Sequence, residues 1–113
     1  MIAVNKVKIS KEAVNAWYAN WEQFQHKIHL AHDARDSSVA QLMQQAIEQF
    51  EHFIVSSSET EAAFSETEPY ELMPINGMER LSFVKMRPGQ YAAYRQLDEL
   101  YKETKKRCAR LRL

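Results

Sequence analysis

The sequence predicts an all-α fold, a small up-and-down helical bundle of three long helices and one short one. Three observations predict it. Val14, Trp17, Trp21, Phe24, Ile28 and Ala31 recur at steps of three and four residues. Tyr94, Leu97, Tyr101, Thr104, Cys108 and Leu111 repeat those steps near the other end. Such steps put side chains on one helical face, and a helix with an apolar seam buries it against a neighbour. Finally, two glycines and three prolines in 113 residues are too few for the tight turns of a sandwich or barrel.

The elements follow in order. Met1 to Ile9 alternates weakly and reads as an extended lead-in whose valine and isoleucine lie on the core. Ser10 is a good N-cap, with Glu12 in the first turn to meet the helix dipole. The first helix runs from there to His32 or Asp33. The DARDSS stretch breaks the pattern. Ser38 with Gln41 has the form of a capping box, and Asp36 or Ser37 would cap equally well. A second helix carries Val39, Leu42, Met43, Ala46, Ile47, Phe50, Phe53 and Ile54, a broader stripe suited to two neighbours.

Residues 56–76 change composition, with four Ser, two Thr, five Glu and two Pro. They read as a connecting segment with one helical turn around Ala62–Phe64, pinned through Phe64, Tyr70, Leu72, Met73 and Ile75. Loops of this length inside compact domains are either functional or mobile. Asn76-Gly77 marks a turn, followed by a short third helix over Met78–Met86. Pro88-Gly89 ends it, and a fourth helix runs from about Gln90 to Arg110. The length suits one domain over residues 1–113.

Net charge is zero, but the charges are segregated. Residues 1–35 hold five basic and three acidic groups, residues 36–79 nine acids and no Lys or Arg, and residues 80–113 ten basic groups and three acids. This reads first as intramolecular complementarity and second as a dipolar surface for a partner. The lone cysteine, Cys108, supports no disulfide framework and no zinc knuckle. The first ten residues lack the apolar core of a secretory signal, and no run reaches the length of a membrane span. A soluble cytoplasmic protein is expected.

Candidate chemistry is sparse. His26, His29, His32 and Asp33 have metal-ligand spacing, yet at about 100° per residue His26 and His29 point away from the seam. His29 and Asp33 are placed to pair at i,i+4. Glu48, Glu51 and His52 echo a carboxylate–histidine motif but also face away from the apolar stripe. Cys108 has cationic neighbours that lower a thiol pKa, but it falls on the seam, where cysteine is a small hydrophobe. No phosphate-binding loop, dinucleotide fingerprint or nucleophile elbow is present. No catalytic residue, cofactor or metal is assigned.

The basic run Lys102, Lys105, Lys106, Arg107, Arg110 and Arg112 has the electrostatic footprint of a phosphate binder. The plain reading is dipole complementarity in the last turns, with Asp98–Lys102 and Glu103–Arg107 as i,i+4 pairs. A non-enzymatic protein-interaction module, as a homodimer or with another partner protein, is the leading expectation. Its surfaces are the acidic strip of Glu59, Glu61, Glu66 and Glu68 and the basic end of the last helix. The alternative is a nucleic-acid-associated accessory protein using Arg95, Lys102, Lys106 and Arg110, which share one helical face. A metal-dependent enzyme built on His26, His29 and Asp33 is a distant third. No membrane partner is expected.

The string Glu79-Arg80-Leu81-Ser82-Phe83-Val84, then Pro88, Tyr91, Tyr94, Gln96-Leu97, Leu100, Glu103 and Lys105-Lys106, resembles the YpoC-like proteins of Gram-positive bacteria. The Trp17–Phe24 region is compatible with the same family. The resemblance implies no active residues to carry over. Its members' genes lie near those for a replication-initiation protein and a base-excision glycosylase, which favours a DNA-associated reading slightly.

Overall fold

The computed structural model describes residues 1–113. It contains α1 (Lys11–Asp33), α2 (Val39–Ser56), α3 (Gly77–Met86) and α4 (Tyr91–Leu111), with a 3-10 turn over Lys6–Ile9 and no strands. The helices are 23, 18, 10 and 21 residues long. None is long and apolar enough to cross a membrane.

The two seams meet in one core. Val14, Trp17, Trp21, Ile28 and Ala31 of α1 are buried, as are Tyr94, Leu97, Tyr101, Thr104 and Cys108 of α4. Phe24 and Leu111 are only partly covered. Arg112 reaches Ile9, Lys105 covers Tyr18, Tyr101 stacks on Trp21, and Tyr91 meets His32. The two helices therefore run in opposite directions.

Tyr101 is sandwiched between the two indoles, 4.8 Å from Trp17 and 4.2 Å from Trp21 between ring centroids. Trp17 also stacks on Phe53 of α2 at 4.1 Å. The Tyr101 hydroxyl donates to the Ala46 carbonyl at 2.6 Å and accepts from Gln49 Nε2 at 3.1 Å. A buried phenol needs such a partner, and here the partner is α2. Burial holds this hydroxyl protonated far above the ordinary tyrosine range.

The helix ends follow local chemistry, with one departure. Ser10 Oγ accepts from the Ala13 N–H at 3.2 Å, as a cap should. The Ser38–Gln41 capping box does not form. Ser38 already has helical dihedrals (φ −68°, ψ −11°) and makes no side-chain cap, whereas a capping residue needs an extended backbone. The Asp36 carboxylate accepts from the Ser38 N–H instead, at 2.9 Å.

Residues 57–76 are irregular, and no helical turn forms at Ala62–Phe64. Side chains take the backbone donors there: Thr60 Oγ1 accepts from Ala62 N–H at 3.1 Å, and the Tyr70 hydroxyl from Ser65 N–H at 3.0 Å. Such local bonds compete with a helix. The extended N-terminus threads between the two ends of this segment. Asn5 N–H donates to Ser57 O and Glu59 N–H to Ala3 O; Ile2 N–H donates to Pro69 O and Glu71 N–H to Ile2 O, all at 2.8 Å. Val4 and Ile9 are buried as expected, while Val7 points into solvent. Tyr70, Leu72 and Met73 are buried and Ile75 is exposed. The Asn76-Gly77 turn places Asn76 at φ 54°, and a Cβ on Gly77 would sit 2.3 Å from Met73 Cγ.

α1 ends in a Schellman motif, with Arg35 N–H donating to His32 O at 3.1 Å and Asp36 N–H to Ala31 O at 2.8 Å. The motif forces Arg35 to φ 53°, a left-handed position that glycine occupies without steric cost. Arg35→Gly is expected to raise the urea midpoint, a gain of about 1 kcal/mol. A lowered midpoint would contradict the motif.

Candidate functional site

α1 and α4 flank a groove where the start of one helix meets the end of the other. α1 contributes Lys11, Asn15 and Tyr18, α4 contributes Lys102, Lys105 and Lys106, and Arg112 follows at its C-cap, with Val14 and Ala109 as the apolar part. The cleft holds about 480 Å³, and no carboxylate lines it. The spacing explains the set. Positions 11, 14, 15 and 18 share a face, as do 102, 105, 106, 109 and 112, each next to a buried seam.

Three of the five cations are held, each differently. Lys102 Nζ is 2.9 Å from Asp98 Oδ2, and that hydrogen bond raises the lysine pKa. Lys105 Nζ lies 4.3 Å from the centroid of the Tyr18 ring. Arg112 donates one N–H to Ile9 O at 3.0 Å. Lys11, Lys105, Lys106 and Arg112 form no ion pair within 4 Å. Burial and the Asp98 charge raise the Tyr18 pKa.

Of the face predicted from sequence, the groove receives only Lys102 and Lys106. Arg110 lines the adjoining hollow with Pro74, Ile75, Glu103 and Arg107, and Lys106 borders both; Arg95 is exposed outside them. Lys11, Lys105 and Arg112 join Lys102 and Lys106 in the groove. Lys11 belongs to another helix, and only the antiparallel packing brings it opposite Arg112.

The Asp98–Lys102 pair forms, and Asp98 is also buried, 8% exposed. It accepts from Trp21 Nε1 at 3.2 Å and Gln25 Nε2 at 3.0 Å as well as pairing with Lys102. The signal was its place beside Leu97, flanking the seam. The expected Glu103–Arg107 pair is absent. Glu103 makes a bidentate pair with Arg80 of α3, with Nη1 2.9 Å from Oε1. Arg107 Nε donates to Glu71 O at 2.7 Å. A fork-shaped match across helices outcompetes a flexible surface pair.

The acidic strip lies in the irregular segment, with Glu59, Glu61, Glu66 and Glu68 all exposed. Phe64 stacks on Tyr70 at 5.6 Å, and Lys85 binds Glu66 at 2.8 Å while also pairing with Glu51 of α2. Glu51 thus faces α3, whereas Glu48 and His52 face water. The hollow of about 460 Å³ beside Phe64 and Lys85 has its cation committed to these two carboxylates.

His29 and Asp33 pair at 3.4 Å on the surface. His26 is exposed and His32 half-buried; burial depresses the His32 pKa. No three His, Cys, Asp or Glu side chains gather around one point. Burial pushes the Cys108 thiol up to about 11, so this cysteine is a packing residue.

A family model described as YpoC-like protein matches residues 11–113. The chain belongs to the YpoC-like family. No curated protein and no solved structure matches it. The YpoC-like match spans α1 to α4, the groove and the acidic strip, and leaves the N-terminal arm outside.

The hydrogen bonds from Arg80 hold Glu103 below the usual carboxylate range. A depressed carboxylate stabilises the fold above its unfolded pKa and loses that contribution as pH falls through the folded value. Glu103→Gln is therefore expected to flatten the acid side of a stability–pH curve. The effect is at most about 1 kcal/mol, because Glu103 keeps 36% of its side chain in water. Curves that run parallel from pH 7 to pH 3 would refute the coupling.

Proposed function

We propose that this YpoC-like chain is a non-enzymatic protein-interaction module, one domain built as an up-and-down bundle of three long helices and one short, acting in the cytoplasm. The supporting observation is the ordered acidic strip. Buried Tyr70, Leu72 and Met73 pin the segment, yet Glu59, Glu61, Glu66 and Glu68 stand in water. The core does not need these carboxylates. A surface ordered beforehand loses little entropy when a partner docks. The partner is a protein with a basic patch, and the α1/α4 groove of a second copy meets that requirement as a head-to-tail contact.

The test replaces all four acids with Gln. Light scattering and affinity capture with mass spectrometry are expected to show self-association or a bound basic protein for the parent chain. The quadruple variant should lose it by at least about tenfold with an unchanged urea midpoint, since exposed pairs contribute little. A strictly monomeric parent that captures the same proteins as the variant would end this reading.

A second reading, nucleic-acid association, is favoured by Lys102 and Lys106 sharing a cleft with three further cations. It requires binding to DNA that weakens steeply with salt and falls on charge reversal at Lys102 and Lys106. Retention that ignores both would remove it.

A further inference from the structure

Lys11 cannot be explained by its own helix. A cation in the first turn opposes the positive end of the helix dipole, and no carboxylate pairs with it. The cations of α4 do complement their helix end, but that effect does not require them to line a concavity with Lys11. Packing α1 against α4 places these charges around a single hollow without an acid in its lining. Like charges around one hollow repel, and an anion between them relieves that repulsion. Of the acids nearby, Asp98 pairs with Lys102 and Glu103, which feels the charge of Lys106, is taken by Arg80; Glu22 and Glu99 lie toward the middle of the helices.

The volume, about 480 Å³, is in the range of small-molecule sites, about 300–1,000 Å³. Along α4 the lining runs from Lys102 to Arg112, a rise of about 15 Å. Four of the five cations are lysines, point charges that suit phosphate oxygens without demanding one planar fork. Arg112 spends one of its five N–H donors on Ile9 O, leaving the others for a ligand. Tyr18, Val14 and Ala109 add apolar surface. Converging charge in a small concavity calls for a dense anion.

We propose that the α1/α4 cleft is a binding site for a chain of linked phosphoryl groups, contacted by Lys11, Lys102, Lys105, Lys106 and Arg112. It needs no contact with the acidic strip, and is more specific than attraction of nucleic acid to a basic helix face. The chain comes either from a free nucleoside polyphosphate or from a single-stranded nucleic-acid backbone.

Calorimetric titration of the full chain with sodium tripolyphosphate, at about 50 mM salt, tests it. One site per chain is expected, weakened at least about tenfold in Lys11→Gln/Lys106→Gln and unchanged within about twofold in Arg95→Gln. The lysines are at the surface, and circular dichroism checks that the variants fold. A second measurement needs no variant: saturating tripolyphosphate should protect Lys11, Lys105 and Lys106 from acetylation while leaving Lys27 reactive. Displacement by a nucleoside triphosphate would support the site and assign it to a free nucleotide. Stronger displacement by a single-stranded oligonucleotide would support it and assign it to a strand. No heat and no protection would overturn it. So would equal losses in the cleft variant and Arg95→Gln, which mean diffuse surface charge. Oligonucleotide binding that ignores Lys11 and Lys106, on a chain that does not bind tripolyphosphate, would also overturn the cleft.

Discussion

Tyr101 is the residue on which the helix arrangement turns. Its ring lies between Trp17 and Trp21 of α1, and its hydroxyl is bound to Ala46 and Gln49 of α2. An aromatic stack is tolerant of sliding, but a buried hydroxyl with a defined acceptor is not. The two together set register as well as proximity. Moving α4 by one turn, about 5.4 Å, would strand the hydroxyl and remove Asp98 from beneath Trp21 Nε1. It would also separate Lys105 from Tyr18 and Arg112 from Ile9. The cleft is thus a consequence of core register.

The charges of the chain divide by whether the fold uses them. Lys85 joins α3 to Glu51 of α2 and to Glu66 of the irregular segment, and Arg80 joins α3 to α4 through Glu103. This is the intramolecular complementarity suggested by an acidic middle and a basic end. It accounts for few of the groups. Lys11, Lys105, Lys106 and Arg112 on one side, and Glu59, Glu61 and Glu68 on the other, make no ion pair. Unpaired charges concentrated at two places are what the proposed binding roles rest on.

Irregular structure is stabilised here by pairing rather than by mobility. The N-terminal arm supplies backbone partners to both ends of residues 57–71, and Glu71 Oε1 accepts from Val4 N–H at 2.9 Å. Buried backbone groups that no helix satisfies must find partners elsewhere, and a short extended arm is a direct source of them. Tyr70 and Phe64, one buried and one half-buried, complete the attachment with their stacked rings.

Periodicity together with caps and turn signals determined the four helices and their approximate ends, and periodicity the two apolar seams. Burial of a narrow apolar stripe is a strong and local constraint that steps of three and four residues express directly. Cap choice was legible at Ser10 and not at Ser38, where the preceding Schellman turn decided the backbone first. What only the tertiary structure decided concerns polar groups. Asp98 is a buried acceptor, Glu51 is the partner of a lysine on α3, Glu103 takes Arg80 over its own neighbour Arg107, and Lys11 stands across a groove from Arg112. A charged side chain chooses its partner by distances across elements far apart in sequence. Those distances exist only once the helices have packed.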